Sequence, residues 1–587
     1  MSTVFHVPEL QNKPSKSGFD LSRKNSFTAK IGEILPIWHA STLIGDKFKI
    51  QIQHLTRTMP LQTSAFTRFT EYFDFFFVPY SQLYRNSRMV LTEMRNNPQF
   101  AQSAAQPSPV GTNLPWFNST DFIGSAKFAS GTAPYLNIIF NDGVPSGSAN
   151  SGKPSNMDYQ NFSLGLQSLK LWNYLGGTYC KESILTIPND SGNWWPTSRP
   201  YSLFPFAAYQ KIYFDFYRFD QWENNAPQCY NFDYLGADCQ LTRTMMSQMD
   251  KRNNIFTLRH SNYPKDLFFG MLPSPQYGDP AVAAVTYTGD TGEQGSLTLH
   301  GITSGGSAAP VYMDTNITDD PTTTSEIQSA ISVLELRQAK ALQRYREVIG
   351  TGSQDYRSMA KKIFGKEVPA HMSNLVQYLG GFRSTININD VVNQNLAMEG
   401  DKATIQGTGY GEDEQNKPIS FEANDYGIIM CLYRVIPILD YALRAPHFDM
   451  MKTEVDDFAN PFFDRLGLQE LPSFYLDDVA NSVKGKNLGY VPRYFEYKTG
   501  VDVVNGNFRE QMSNWIAAIT PEYLSDIESS QHFNINKDFF KVNSHLVDSI
   551  FFQESDTSVT SDQFLVNANI GVKAVRPLDY TGLPNGN

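Results

Sequence analysis

Apolar and polar positions alternate strictly in KFKIQIQ (residues 47–53): Phe48, Ile50 and Ile52 fall on one side, lysines and glutamines on the other. A period of two with one wet side predicts a half-buried strand. FLVNANIGVKA, near the C-terminus, has the same pattern, with Phe564, Val566, Ala568, Ile570, Val572 and Ala574 sharing a face. Two further segments are apolar on both faces and run into a proline. YFDFFFVPYSQLY (from Tyr72) and YGIIMCLYRVIPI (from Tyr426) predict strands covered on both sides, stopped by Pro79 and Pro437, which lack the N–H that a ladder needs.

Helical spacing is clearest after residue 323. Thr323 and Glu326 form a candidate capping box, Leu334, Ala341, Leu342, Tyr345, Val348 and Ile349 recur at helical intervals, and Gly350 and Gly352 end the segment. A shorter helix with Tyr356, Met359, Ala360 and Ile363 ends at Gly365, and AAYQKIYFDFYRFDQW (residues 207–222) suits either helix or strand. Residues 101–160 and 286–322 are rich in Gly, Ser, Asn and Pro and read as long connections, the second carrying small strands around SLTLH. Strong strands at both ends, few helices and long connections predict one antiparallel β-sandwich with large insertions. Loop closure entropy grows slowly enough with length to allow this in 587 residues.

Composition sharpens this picture. Only 18% of residues are charged, against about 25% in ordinary domains, while Phe (41) and Tyr (30) are abundant; both features suit a β-rich protein with large contact surfaces. The net charge of −11 argues against a general nucleic-acid binder. Residues 1–30 run the other way, with Lys13, Lys16, Arg23, Lys24 and Lys30 against Glu9 and Asp20. This basic arm is either a solvated terminus or a nucleic-acid contact. The N-terminus lacks a signal-peptide apolar core and no run is long enough to span a membrane, so a soluble, cytoplasm-made protein is expected. Cys180, Cys229, Cys239 and Cys431 show no paired spacing and read as reduced, buried thiols.

No catalytic constellation emerges. There is no P-loop, nucleophile elbow or HExxH. GTGYG (residues 407–411) reads as a flexible loop, and DTNITDD (residues 314–320) lacks the glycine and final glutamate of a calcium loop. The carboxylates of DQWENN and EVDD are the nearest approach to a glycoside-hydrolase pair. Two classes remain: an assembly protein, and a carbohydrate-binding or carbohydrate-active β-sandwich. The surplus of aromatic contact sequence along the whole chain favours assembly.

Several segments, in order, carry a family resemblance: SFTAKIGEILPIWHASTLIGDKFKI, FTEYFDFFFVPYSQLYRN, LFPFAAYQKIYFDFYRFDQ, YPKDLFFGMLPSPQYGD, LRQAKALQRYREVIGTGSQDYRSMAKKIFG, YLGGFRSTINI, LGYVPRYFEYK and VKAVRPL. Together they resemble the major capsid proteins of microviruses, small icosahedral single-stranded DNA phages, and look closest to the gokushovirus-like branch. The resemblance fails at 101–160 and 286–322. It implies an eight-stranded antiparallel viral jelly roll spanning residues 31–587 behind the 1–30 arm, assembling as a sixty-copy T=1 shell around a circular DNA genome. It further implies a small basic DNA-packaging protein, a DNA pilot protein, an internal scaffolding protein and a host surface receptor as partners, with no cofactor and no enzymatic activity. Residues 286–322 occupy the place of the family's threefold protrusion, making Gly305, Gly306, Tyr312 and Asn316 protrusion candidates. Lys13, Lys16, Arg23 and Lys24 are expected at the DNA, and Tyr80, Tyr84 and Tyr494 at subunit contacts.

Overall fold

The computed structural model describes residues 14–61, 65–91, 114–126, 135–138, 159–177, 199–236, 238–250, 252–279, 333–369, 372–392, 405–415, 417–476, 487–520, 535–547, 550–551 and 562–580, with short strand pieces between 286 and 330. Eight long strands carry the architecture: β1 (Arg23–Ala29), β2 (Leu35–Thr42), β3 (Lys47–Thr58), β4 (Phe69–Pro79), β5 (Gln377–Val392), β6 (Ile405–Glu414), β7 (Gly427–Pro437) and β8 (Phe564–Arg576). They pair antiparallel in the orders β1-β8-β3-β6 and β2-β7-β4-β5. Successive strands therefore alternate between the two sheets except at the β4–β5 step, which is the jelly-roll arrangement expected from the resemblance. Ser17–Asp20 extends the first sheet beside β8, and Ile419–Glu422 pairs with the start of β3.

The two sheets are joined along β5. Its first part, Gln377–Ile386, pairs with β4, and Asn387–Val392 then pairs with β6, so the hydrogen-bonded surface curls from one sheet into the other. A register shift at Tyr378/Gly380, where Gly380 has φ +142°, bends the strand near its start.

Alternation fixes which side chains meet inside. Ile50 and Ile52 of β3 and Phe564, Val566, Ala568, Ile570, Val572 and Ala574 of β8 are buried in one shared core, as their spacing predicts. Phe69 of β4 meets Phe564 edge-on at 5.3 Å, and Tyr433 of β7 packs against Phe27 of β1 at 5.0 Å, each contact bridging the sheets. The even positions of β4 face away from this core and are covered by inserted chain: Phe76 packs against Phe216 and Tyr217. The doubly apolar pattern of YFDFFFVPY thus has one face in the sandwich and one beneath the insertion.

The insertion between β4 and β5 carries four helices that matter here: α1 (Tyr159–Tyr174), α2 (Phe204–Ile212), α3 (Val333–Gly350) and α4 (Tyr356–Phe364). The segment ambiguous in sequence is helical; α2 runs directly into a π-helical turn, Tyr213–Tyr217. α4 ends at Gly365 in the left-handed region (φ +69°), where its N–H donates to the Lys361 carbonyl. The capping box at Thr323 and Glu326 lies outside the described residues. SLTLH contributes a small strand, Thr298–His300, paired with Tyr312–Asp314.

A buried carboxylate sits between the sheets. Glu71 of β4, with no exposed surface, receives hydrogen bonds from Thr56 Oγ1 (2.7 Å) and Tyr433 Oη (3.0 Å), and its other oxygen lies 2.6 Å from His54 Nε2. Burial, with the Glu71 charge adding to it, drives the Tyr433 phenol well above its ordinary pKa and keeps it a donor. This site also corrects the reading of GTGYG as a flexible loop. The motif lies within β6, and a Cβ on Gly411 would stand 3.0 Å from Glu71 Oε1, while one on Gly409 would stand 2.5 Å from Thr58 Cγ2. The glycines make room for the carboxylate and its neighbours.

Replacing Glu71 by Ala leaves Tyr433, Thr56 and His54 facing an empty, dry site; urea unfolding of unassembled protein should show a loss of about 3–5 kcal/mol. The Glu71→Gln variant, which keeps an acceptor, should lose clearly less.

Candidate assembly and packaging surfaces

The outer face of the β1-β8-β3-β6 sheet is polar and partly basic. Register places Lys24 opposite Asn569 and Asn569 opposite Gln53, Lys573 opposite Lys49, and Leu565 opposite Arg57. Lys24, Lys49, Arg57 and Lys573 are all exposed. Between them lie amide side chains, Gln51, Gln53, Asn567 and Asn569. Acidic groups gather toward β6: Glu414 accepts from Gln51 Nε2 and Gln53 Nε2 at 2.9 and 2.7 Å, and Lys47 pairs with Glu422 at 3.3 Å. At the Lys573 end an open cleft of about 720 Å³ is lined by Phe19, Asp20, Lys47, Phe48, Lys49 and Phe421, among others.

The opposite sheet is covered by the insertion through charged and aromatic contacts. Asp74 of β4 accepts from Tyr217 Oη at 2.9 Å and Tyr378 Oη at 3.3 Å and lies 3.5 Å from Arg434 Nε. The Arg434 guanidinium sits over the rings of Tyr72 and Tyr217 at 4.4 and 4.9 Å. Burial, then Asp74, pushes the Tyr378 phenol up to about 12. Tyr217 thereby holds the insertion to β4, and Tyr378 ties β5 to the same carboxylate.

A second buried ion cluster ties three separated segments together. Lys170 Nζ of α1 lies 2.6 Å from Glu33 Oε2 and 2.9 Å from Asp562 Oδ1. Burial pulls its pKa down, but Glu33 and Asp562 outweigh that and hold the ammonium above its ordinary value. Next to it, Trp172 is fully buried against Tyr201 and Phe117.

The carboxylates of DQWENN and EVDD are consumed by local structure. Glu223 accepts from Tyr213 Oη at 2.6 Å, Asp220 pairs with Arg218 at 2.9 Å, and Asp457 accepts from the backbone N–H groups of Thr453 and Glu454. Cys229, Cys239 and Cys431 are buried free thiols, with Cys229 pushed up to about 11 by burial; Cys180 lies outside the described residues. Among the described residues, no three His, Cys, Asp or Glu side chains converge to hold a metal ion.

The residues singled out by sequence fall in different places. Lys13 lies outside the described residues and Lys16 is exposed. Lys24 joins the outer basic face, whereas Arg23 pairs with the buried Ile570 and so has the other parity, at an exposed edge of the sandwich. Tyr80 begins a helical turn, stacks on Phe204 at 4.3 Å and donates to Ser41 Oγ. Tyr84 is only 5% exposed and bonded to Cys239 Sγ at 3.3 Å, because that turn tucks it beneath the 232–239 segment; its ring is spent inside the subunit. Tyr494, partly exposed in a left-handed conformation (φ +56°), has the Arg493 guanidinium over its ring. Tyr312 lies in the small strand opposite His300, while Gly305, Gly306 and Asn316 lie outside the described residues.

Sequence reading passed over two exposed apolar regions. One is α4, in which no residue is buried; the other is the run from Met450 to Leu466, in which Phe462 is 92% exposed. Their signal was present in FANPFFDRLGL, where consecutive aromatics have neither strand nor helix periodicity to take them inside.

A jelly-roll sandwich with an inserted outer layer, a polar sheet face and large exposed apolar segments has the form of a viral shell subunit. The chain belongs to the Capsid protein (F protein) family, which matches residues 9–126 and 197–585. It is therefore a phage structural protein of the microvirus major-capsid type, a virion component that acts by oligomeric assembly and not as an enzyme. No curated protein matches the chain. The break in the family match, 127–196, overlaps the first polar segment and includes α1; residues 286–322 fall within the matched range.

His260, whose backbone bridges Glu33, has its pKa lowered to about 4, chiefly by burial, with Glu33 opposing and Lys541 and Lys170 reinforcing the shift. The unfolded chain takes up this proton near pH 6.5 and the native chain only near 4. Stability from this site is thus full above pH 6.5 and declines as pH falls to 4, by up to about 3 kcal/mol. Urea titrations of unassembled protein at pH 7, 5.5 and 4.5 should show that decline, and His260→Gln should flatten it.

Proposed function

We propose that this protein is the major capsid protein of a gokushovirus-like phage, and that sixty copies form a T=1 shell enclosing a circular single-stranded DNA genome. The observation that carries this reading is the jelly-roll strand order in a chain of the F protein family. Assembly takes place in the host bacterial cytoplasm with an internal scaffolding protein, and a small basic packaging protein and a DNA pilot protein enter the particle. A chain of net charge −11 repels phosphate, so such a basic partner offsets the repulsion that the shell presents to its genome.

Lys13, Lys16, Arg23 and Lys24 face the genome, and the outer face carrying Lys24, Lys49, Arg57 and Lys573 continues that surface. Its mixture of lysine, arginine and amide groups suits sequence-independent contact with phosphates and sugars. Residues 286–322, including Gly305, Gly306, Tyr312 and Asn316, form the threefold protrusion and meet the host receptor. Tyr80 and Tyr494 contribute to contacts between copies; Tyr84 supports them from within.

Negative-stain microscopy of the expressed chain should reveal closed shells, whereas a discrete small oligomer under all conditions would remove the shell reading. Because residues from Ser17 onward are sheet, the packaging test uses the triple variant Lys13→Gln, Lys16→Gln, Lys24→Gln in place of a deletion. Its particles should form but retain less DNA and lose it at lower salt; unchanged DNA content and salt response would exclude these lysines from packaging.

A further inference from the structure

Two exposed patches on the subunit are complementary in both hydrophobicity and charge. The first is centred on α4, where Tyr356, Ile363 and Phe364 are 66, 46 and 77% exposed, and Met372 beyond it is 69% exposed. The same stretch, 356–367, carries Arg357, Lys361, Lys362 and Lys366 against the single acid Glu367. The second is the 453–466 segment, where Val455, Phe458, Phe462 and Leu466 are 87, 55, 92 and 65% exposed. The same 453–466 segment carries Glu454, Asp456, Asp457 and Asp464 against the single base Arg465, with Asp464 paired to Lys498 at 2.5 Å.

Both patches are held in shape by local bonds, so their apolar groups are presented by built structure. Asp355 caps α4 by accepting from Ser358 N–H at 3.0 Å, and the helix is tethered to the body by Gln354 N–H and Gln221 Nε2, which donate to Asp220 and the Gly352 carbonyl. In the second patch Asn460 Oδ1 accepts from Phe462 N–H at 3.1 Å, Pro461 opens the turn that carries Phe462, and Phe448 packs edge-on against Tyr475 and Phe495 at its base.

We propose that in the shell α4 of one copy docks on the 453–466 segment of a neighbouring copy. This rests on the shell reading above and specifies one of its interfaces. Either patch pairing with its own kind would set like charges against each other; pairing with the other buries both apolar faces and opposes basic to acidic groups. Contact between two different patches is heterologous, the type that closes into rings around rotation axes, as a closed shell requires.

The test uses full-length chains, each first shown to be soluble and folded by circular dichroism. Reversing one patch (Lys361→Glu with Lys362→Glu) should cut shell yield at least about tenfold, as should reversing the other (Glu454→Lys with Asp456→Lys). Combining both pairs in one chain should restore shells, since each contact then opposes charges again. Phe364→Cys and Phe462→Cys chains, co-assembled, should form disulfide-linked heterodimers on mild oxidation. Wild-type shells with undiminished yield from both reversals, or a Phe364→Cys/Phe462→Cys double variant that links only within single chains, would overturn this contact and leave the shell reading standing. Failure of the wild-type chain to form shells at all would overturn both.

Discussion

A buried carboxylate organises the centre of this sandwich. Glu71 draws on β3 through His54 and Thr56, on β7 through Tyr433, and on β6 through the space that Gly411 leaves. A carboxyl group so far from water is tolerable only with its oxygens hydrogen-bonded, so the four strands have little freedom to slide. A one-residue slip of β3 or β7 would turn His54 and Thr56, or Tyr433, away from the carboxylate, because successive strand residues point to opposite faces. The aromatic core supplies the bulk of the hydrophobic driving force, whereas this site selects one alignment of the two sheets.

With the sheets locked, the long connections can be attached without disturbing them. The insertion after β4 is fastened on one side by Tyr217, which donates to Asp74 and lies under Arg434, itself paired with Asp74, and on another by the Lys170 cluster. In both places a buried charge meets an opposite charge contributed by chain distant in sequence. Helix α1, which lies in the stretch the family match skips, is therefore an integral part of this subunit: Lys170 pairs with two carboxylates, and Trp172 fills space next to Phe117.

Much of the framework was legible because it depends on local periodicity. KFKIQIQ, FLVNANIGVKA and the two doubly apolar strands announce their faces residue by residue, and the prolines announce their ends. What escaped reading depends on partners far away in the chain. GTGYG looks like a loop because glycine has no local reason to sit in a strand; its reason is a carboxylate on another strand. Tyr84 looked free because it follows Pro79, yet a single helical turn carries it under a segment about 150 residues later in the chain. The exposed aromatics near Phe462 have no partner-facing pattern in the sequence, and residues 286–322 lack any local pattern that names their role.

β8 comes last along the chain among the eight strands, yet it stands between β1 and β3 inside its sheet. Until β8 has been made, β1 lacks the strand it pairs with and the buried face of β8 is missing from the core, so the sandwich cannot close before that strand emerges. A prematurely terminated chain lacks an interior wall, not an ornament, and cannot present the finished surfaces by which copies recognise one another. The topology thus makes the closing of the sandwich a check that translation has passed β8.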